Sequence, residues 1–446
     1  MKVKPNIFVL SVSIIVVLTF VFSSCAPKAA PVATTGTTMA EETTLETETT
    51  PTEQAVVLEV DNDGTLEWDP ATVWQKEQFE KMYPNIKINF HETPYKVHQE
   101  TLLRMASGAQ EPYDVWQITD EWLPSVMKTD ILMPIDQIWT EDKLALYADW
   151  EKKAILDKDG NKVLVPVFGC ITVFMYNTEL LQSAGFQEPP KTWDDIVLYA
   201  QKLTKPDENI WGFVDTEESI NKFWHWLLQA GGKPFNEDWT AAFNSKAGVK
   251  ALEFLVDNRN KYKVVPLGAV TWMDEDQQML FISGKSAMCV TWAFTIDRAA
   301  NSEESLVKDK FSVASFPEGP GKTNATVYED NHYAIPKTIP KEKLDAALKW
   351  LDYVSSYEAQ VGMLVHEPGN YAPVPKAYDE PEVKEKVPFA DLLKVNVENA
   401  QNVVPPNMGE VATILIAEIQ QALLGQKTAE QSLNDAATKI NEVVKQ

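Results

Sequence analysis

Tryptophans and acidic or amide side chains are the residues of this chain whose chemistry is most informative. Indole rings stack on the apolar C–H faces of a sugar ring, while carboxylates and amides hydrogen-bond its hydroxyl groups, so a sugar site needs both kinds of group in one cleft. The chain has 14 tryptophans in 446 residues, although most tryptophans of a protein pack in its core. Trp116, Asp120 and Trp122 combine both kinds of group in one short segment, which is therefore a candidate binding site.

Motifs typical of enzymes and metal sites are not supported by their spacing. Gly284-Lys285-Ser286 resembles the end of a phosphate-binding loop, but Met279 stands where the first glycine is required. Asp61-Asn62-Asp63-Gly64 is calcium-like, yet its glycine comes two positions too early for an EF-hand. His91 and His98 lack the spacing of a zinc pair on one helical face, and no Gly-x-Ser-x-Gly is present. We therefore expect a protein that is not an enzyme and needs no metal or cofactor.

The first 54 residues predict export rather than folding. A basic start and the apolar run Ile7–Phe22 are typical of a secretory signal. The small residues before Cys25 resemble the lipobox of bacterial lipoproteins, although Phe22 departs from the usual smaller aliphatic. A membrane-spanning anchor or an ordinary cleaved signal is the alternative, but the run is short for a span. We therefore expect a lipoprotein signal over 1–25, lipid attachment at Cys25, and a disordered Thr/Glu-rich tether over 26–54.

Charge and cysteine content indicate which classes of binding partner and how many disulfides to expect. The 40 basic and 65 acidic residues give a formal net charge of −25. Such a surface repels nucleic acid and favours solubility, so we expect no nucleic-acid partner. Only Cys170 and Cys289 follow Cys25, and two cysteines in a large exported chain do not form a disulfide scaffold.

Hydrophobic periodicity predicts alternating strands and helices at the start of the folded region. The expected strands cover 56–60, 86–90 and 113–118, and the expected helices cover 71–82, 97–107 and 121–128. This alternation favours a parallel sheet covered on both faces. Because ligands of such sheets bind beyond the carboxyl ends of the strands, the segments 61–69 and 119–123 are candidate site loops. Further along, we expect extended segments over 162–176 and 287–292, and helices over 198–204, 223–230, 248–258, 341–357, 411–425 and 428–444.

Seven short motifs then point to a family. In chain order they are Phe79–Ile88, Ala106–Gly108 with Tyr113–Val115, Tyr176-Asn177 with Ala184–Phe186 and Pro189–Asp195, Ala230–Gly232, Phe243–Ser245, Phe281–Met288, and Trp292. In these motifs the chain resembles the bacterial extracellular solute-binding proteins of family 1, the group that includes maltose-binding protein. The resemblance covers about Val57 to Val444.

The resemblance implies an α/β fold of two lobes, joined by crossover segments, with a ligand cleft between the lobes. The crossovers are expected near 168–174, 287–291 and 364–375. The N-lobe is then discontinuous, covering 55–168 and 291–364. The C-lobe covers 169–290 and 365–446.

The same resemblance, together with the strand ends, marks candidate ligand contacts. Trp292 follows the second crossover, where the family places a stacking aromatic, and Asp120 matches an acidic contact of the family. The expected contacts are Asn62, Asp63, Trp116, Asp120, Trp122, Trp224, Trp272, Trp292, Asn331, Asn370 and Tyr371, with His332 beside them. A turn, a helix cap or core packing is the alternative role for each of these residues.

Two positions depart from maltose-binding protein. Cys170 stands where that protein has an acidic sugar contact, and Met408–Val411 lacks its aromatic residue, so we expect a ligand other than maltose. Cys170 and Cys289 fall in crossovers that run side by side in this family. A disulfide between them is possible, but we expect two free thiols.

The resemblance implies a monomeric, extracytoplasmic protein, lipid-anchored to the cell membrane. It would capture a mono- or oligosaccharide by lobe closure and deliver it to the permease subunits of an ABC transporter. Two alternatives stay open: an extracellular glycan-active lipoprotein enzyme, and the same fold binding a polyamine or another non-sugar solute.

Overall fold

The computed structural model describes residues 55–63, 69–109, 112–216, 220–401 and 403–445. Its strands are β1 (Val56–Asp63), β2 (Ile86–Thr93), β3 (Trp116–Thr119), β4 (Val165–Asn177), β5 (Met288–Trp292), β6 (Phe311–Ala314) and β7 (Tyr328–Ala334). Its helices are α1 (Pro70–Met82), α2 (Tyr95–Ala106), α3 (Leu123–Met127), α4 (Glu141–Ala145), α5 (Glu151–Ala154), α6 (Thr178–Ser183), α7 (Trp193–Leu203), α8 (Ile220–Gln229), α9 (Lys246–Val256), α10 (Asp274–Ile282), α11 (Phe294–Asn301), α12 (Lys341–Val354), α13 (Tyr357–His366), α14 (Pro381–Lys386), α15 (Ala390–Asn399), α16 (Met408–Leu423) and α17 (Ala429–Val443).

Local sequence signals explain where several of these helices begin and end. The carboxylate of Asp69 accepts a 2.9 Å hydrogen bond from the Thr72 amide and caps α1. Thr192 and Asp195 form a reciprocal capping box at the start of α7. After α2, Gly108 takes a positive φ of 93°, which glycine adopts without steric cost. The helices expected over 71–82 and 97–107 are confirmed by α1 and α2.

The strands form two sheets of different kinds. β1 and β2 are parallel, and β1 also meets Val115 in parallel fashion just before β3. The second sheet has the order β3-β7-β4-β5, with β6 also paired to β4, and these strands pair in antiparallel fashion. The expectation of a parallel sheet therefore holds for β1 and β2 but is wrong for the larger sheet. β4 and β7 come from later parts of the chain, which the early alternation of strands and helices does not describe.

Two hydrophobic cores lie on either side of β4. The first core includes Leu58, Ile118, Tyr333 and Trp350, and the second includes Trp193, Trp226, Leu252, Val290 and Leu415. Successive side chains of a strand point to opposite faces. Ile171, Val173 and Met175 of β4 accordingly join the first core, while Phe174 joins the second. β4 is thus a single strand shared by both cores.

The segment 372–400 packs differently from the sequence expectation. Its buried residues, among them Val383, Leu393 and Val397, belong to the first core rather than the second. The Trp150 indole donates a 3.2 Å hydrogen bond to the Val397 carbonyl, which fastens α15 to the first core. The second core resumes at Met408. Earlier in the chain, Phe316 and Val327 lie in the second core, although 291–364 was expected in the first lobe.

No helix in the described part of the chain combines the length and the apolar character that crossing a membrane requires. The expected signal over 1–25, the tether over 26–54 and the lipid attachment at Cys25 lie outside the described residues.

Candidate functional site

The carboxyl ends of β1 and β3 meet at one edge, where β7 also begins. The Asp61 amide at the end of β1 donates a 2.9 Å hydrogen bond to the Val115 carbonyl beside β3. At the end of β3, Thr119 pairs in register with Asn331 of β7. Asn62 and Asp120, both predicted from the sequence, are therefore brought to the same edge and are buried there. Residues 61–63 and 119–123, the described parts of the segments singled out from the strand ends, therefore lie at the same edge.

One face of the larger sheet at this edge combines polar groups with an aromatic ring. Phe168 and Cys170 of β4 lie opposite Asn331 and Glu329 of β7. On the other side of β7, Thr119 of β3 also lies opposite Asn331. Because side chains alternate along a strand, these five residues share a face, which we call the polar face. Phe168, Cys170 and Glu329 are half-buried, while the neighbouring β4 residues Gly169 and Ile171 are fully buried.

The polar face contains buried oxygens that can serve a ligand. The Thr119 hydroxyl and the Asn331 side-chain oxygen have no hydrogen-bond partner among the described residues, although both are enclosed. Buried polar atoms are normally paired. Next to them Glu329 accepts a 3.0 Å hydrogen bond from the Asn221 amide of α8. Hydroxyl, amide, carboxylate and aromatic groups therefore converge on one surface.

The three crossover segments run side by side at β4. Gly169 and Tyr371 exchange backbone hydrogen bonds of 3.0 and 3.2 Å. Three residues further along β4, Thr172 pairs with Trp292, the last residue of β5. Trp292, Asn370 and Tyr371, all predicted from the sequence, thus lie against the strand that both cores share. Trp292 and Asn370 are each 7% exposed.

Behind the polar face, a buried acidic cluster occupies the opposite face of β7. Asp330 and His332 project to this side, and Glu151 reaches them from α5. Asp120 completes the cluster, with its carboxylate 3.8 Å from Nδ1 of His332. Burial, reinforced by the charges of Glu151 and Asp120, raises the pKa of Asp330 well above its usual range. Burial alone would lower the pKa of His332, but Glu151 and Asp120 raise it above its ordinary value.

The second lobe contributes a buried ion pair near the start of α8. Lys222 is fully buried, and its ammonium lies 2.9 Å from Asp274 and 4.0 Å from Asp215. Burial raises the pKa of Asp215 to about 7, although Lys222 and the Trp226 indole act in the opposite direction. The Trp226 Nε1–H donates a 2.6 Å hydrogen bond to this carboxylate. The positive charge of Lys222 is therefore already matched by acidic neighbours.

Other sequence-predicted residues lie away from the polar face. Trp224 is fully buried in the second core, with ring centroids 5.7 Å from both Phe235 and Phe243. Trp122 is 2% exposed and packs its ring 5.5 Å from that of His98. Trp116 starts β3, at the end opposite Thr119, and Trp272 is half-buried just before α10. The side chain of Asp63 lies outside the described residues.

Sequence reasoning missed several residues of this region. Phe168 and Glu329 were not singled out, and Thr119 was included only as the first residue of the candidate loop 119–123. Only the register of β7 with β3 and β4 reveals that these three residues share a face. Asp330 carried a usable signal, since it stands directly before Asn331 and two residues before His332, both of which were already candidates. Glu151 carried none, because it comes from a short helix far away in sequence.

Comparison with known proteins now identifies the family. Residues 67–361 match the model of the family described as bacterial extracellular solute-binding protein. The chain belongs to this family. Its members are extracytoplasmic binding proteins that serve ABC transporters, and the two cores described above are the two lobes of their α/β fold.

Three relatives show which ligands appear in the names of other extracellular solute-binding proteins. A solved structure of maltose-bound MalE3 from T. maritima is 27% identical, with a TM-score of 0.77, covering 87% of this chain and 100% of that one. A maltotriose-binding protein of Pyrococcus abyssi is 24% identical over 69% of this chain and 64% of its own length. An sn-glycerol-3-phosphate-binding periplasmic protein of Escherichia coli O6:K15:H31 is 25% identical over 65% of this chain and 68% of its own length.

Proposed function

We propose that this solute-binding protein captures a neutral sugar, either a mono- or an oligosaccharide, between its lobes and delivers it to the permease subunits of an ABC transporter. The polar face is the observation that supports this best. It sets the half-buried ring of Phe168 beside the enclosed side-chain oxygens of Thr119 and Asn331. An aromatic ring next to uncharged acceptors and a carboxylate suits the two surfaces of a sugar.

Charge favours a neutral ligand over the anion named for one of the relatives. A phosphate group needs an available cation or several aligned donors. The buried ammonium of Lys222 is already paired with Asp274 and Asp215. The carboxylate of Glu329 on the polar face and that of Asp120 behind it would repel an anion further. A polyamine is the remaining alternative, because these carboxylates would attract a cation.

Ligand class is tested by calorimetry against neutral mono- and oligosaccharides, sn-glycerol 3-phosphate and a polyamine. We expect binding by at least one neutral sugar, with an affinity that changes little between low and high salt. Polyamine binding would weaken strongly as salt increases, because charge–charge attraction is screened. Binding of the phosphate or the polyamine alone would overturn the sugar proposal, and sugar hydrolysis products would favour the enzyme alternative.

Two aromatic substitutions locate the site. Trp292→Ala and Phe168→Ala should each weaken sugar binding by about 5- to 150-fold, the range of a lost stacking contact of about 1–3 kcal/mol. Trp239 is 38% exposed and packs on Phe235 in the second lobe, so Trp239→Ala is the matched control. Unchanged affinity in both site variants would show that the sugar binds elsewhere.

We also propose that Cys25 anchors the protein to the outer face of the cell membrane through a lipid. The motif around Cys25 supports this assignment. Cys25→Ala should then release the protein from the membrane fraction. A variant retained in the membrane with its N-terminus uncleaved would show that the apolar run 7–22 is itself the anchor.

A further inference from the structure

Three side chains with metal-binding chemistry converge inside the first lobe, behind the polar face. Asp330 and His332 lie two residues apart on β7 and therefore project to the same side. Glu151 at the start of α5 meets them there. One donor atom from each residue lies within 4.8 Å of the other two. His332 Nε2 is 3.1 Å from a Glu151 oxygen and 3.5 Å from Asp330 Oδ2.

The two separations from His332 Nε2, 3.1 and 3.5 Å, match the spacing of donors around one ion. Zn²⁺ binds imidazole nitrogen and carboxylate oxygen at about 2.0–2.2 Å. At that bond length, neighbouring donors of a tetrahedral or octahedral ion lie about 3.0–3.5 Å apart. One imidazole with two carboxylates is also a donor set that suits first-row divalent metals rather than Ca²⁺ or Mg²⁺, which prefer oxygen alone.

The cluster has an unbalanced charge that a cation would relieve. The side chains of Glu151 and Asp330 are at most 1% exposed. Glu151 Oε2 and Asp330 Oδ2 accept no hydrogen bond from any donor in the described residues. Within that part of the chain, neither residue forms an ion pair with a lysine or an arginine. The two buried carboxylates share one histidine and have no other basic partner in that part of the chain, so a bound cation would stabilise them.

A second layer of contacts orients the three donors. Asp120 lies on the far side of the His332 ring, 3.8 Å from Nδ1, so it favours a proton on Nδ1 and leaves Nε2 to face the carboxylates. Metal-bound histidines commonly have such a carboxylate behind them. The second oxygen of Asp330 accepts a 2.8 Å hydrogen bond from the Asn331 amide, and the Asp330 amide donates one of 2.6 Å to Asp120.

We propose that Glu151, Asp330 and His332 bind one divalent transition-metal ion, with Zn²⁺ as the best-fitting species and Asp120 as the residue that orients His332. This assignment departs from the expectation, drawn from the sequence, that the protein needs no metal. The ion would be structural, because the cluster is enclosed within the first lobe. It would also fix β7, whose opposite side carries Asn331 and Glu329 of the polar face.

The test measures metal directly and needs no sugar, so its outcome is independent of the proposed function. The purified full chain is unfolded in chelator, refolded in metal-free buffer, and then refolded again with Zn²⁺ or Mn²⁺ present. We expect about one metal ion per chain after gel filtration and a higher melting temperature than for the metal-free protein, because an ion bound only by the folded state stabilises it.

Substitutions identify the ligands. His332→Gln and Asp330→Asn should each reduce retained metal at least tenfold and abolish the metal-dependent rise in melting temperature. The matched control is His91→Gln, since His91 also pairs with a carboxylate, that of Glu59, but on the surface of β2. This control should retain the ion. A wild-type chain that retains no ion and melts at the same temperature with chelator or metal would overturn the proposal and show that the carboxylates share a proton. Full retention by both cluster variants would also overturn it.

Discussion

The side-chain amide of Asn221 donates a 3.0 Å hydrogen bond to the carboxylate of Glu329. Asn221 lies in the first turn of α8, a helix of the second core, while Glu329 lies on β7, a strand of the first core. This bond therefore joins the two lobes at the polar face. A hydrogen bond of this length can form only while these two lobe surfaces are close together.

Glu329→Ala should weaken ligand binding by about 10- to 150-fold, because a hydrogen bond to a charged group contributes roughly 1.5–3 kcal/mol. The free energy of unfolding should change much less, since Glu329 is half-buried and lies at the edge of the first core. Calorimetry and urea denaturation measure the two quantities. Glu303→Ala, at an exposed position, is the control. Equal affinities in wild type and Glu329→Ala would argue that the contact has no part in ligand capture.

Gly169 is the one residue of β4 that leaves room for the Tyr328 ring. A Cβ at this position would overlap the ring and the hydroxyl of Tyr328. Gly169→Ala should therefore destabilise the protein by about 1–3 kcal/mol, as overpacking does. Gly409→Ala, where a Cβ would meet nothing within 4 Å, should be close to neutral.

Thermal and urea unfolding of both glycine variants measure the difference. A second substitution, Tyr328→Leu, should recover part of the stability of Gly169→Ala by removing the overlapping atoms, although it also loses the contact with the Trp150 ring. If Gly169→Ala is as stable as Gly409→Ala, the backbone of β4 can shift further than the close packing of Tyr328 implies.

The sequence predicted the elements of this fold more reliably than its pairing. The strands and helices at the start of the folded region were confirmed, because hydrophobic periodicity and caps such as Asp69 act within a few residues. The antiparallel order of the larger sheet was not predicted. It depends on β4 pairing with β7, which lies about 160 residues further along the chain.

The same distinction holds for the site. The ends of the predicted strands pointed to Asn62 and Asp120, because strand ends can be read from the local pattern. The family resemblance pointed to Trp292, because that residue belongs to a matched motif. Trp224 was placed among the ligand contacts, yet its indole is enclosed in the second core. Residue type alone does not distinguish a stacking tryptophan from a packing one, and Phe168 emerged only from its register with Asn331.

A half-buried carboxyl group at the third crossover predicts how stability changes with pH. Burial, then the neighbouring Asp69 carboxylate, raises the pKa of Glu367 to about 9. In the unfolded chain this group ionises near its ordinary pKa of 4.5. Its contribution to the free energy of unfolding is therefore full below about pH 4.5 and is lost as the pH rises from there towards about 9. The loss is at most about 1.4 kcal/mol per pH unit.

Glu367→Gln should flatten this dependence, because the amide has no proton to lose over that range. Urea denaturation at pH 5, 7 and 8.5 should show the variant gaining stability relative to wild type as the pH rises. Glu358→Gln, at an exposed position, is the control and should follow the wild-type curve. A constant difference between wild type and Glu367→Gln across these pH values would contradict the raised pKa of Glu367.

The two cysteines of the described residues lie on neighbouring strands but are not opposite each other. Cys289 of β5 pairs in register with Met175 of β4, five residues beyond Cys170. At about 3.3 Å per residue this offset is about 16 Å, whereas a disulfide requires Cα atoms within about 7 Å. The structure accordingly has neither cysteine in a disulfide, and strand register supports the prediction of two thiols.

Thiol titration checks this prediction in the chain without residues 1–25, which lacks Cys25. In denaturant without reductant we expect two thiols per chain, and one in Cys170→Ser. In the native protein Cys289 should react far more slowly than half-buried Cys170, because it is fully enclosed and burial raises the pKa of its thiol well above the ordinary value. A count of zero in denaturant would mean that the crossovers are cross-linked and that β4 and β5 shift by several residues from the register described here.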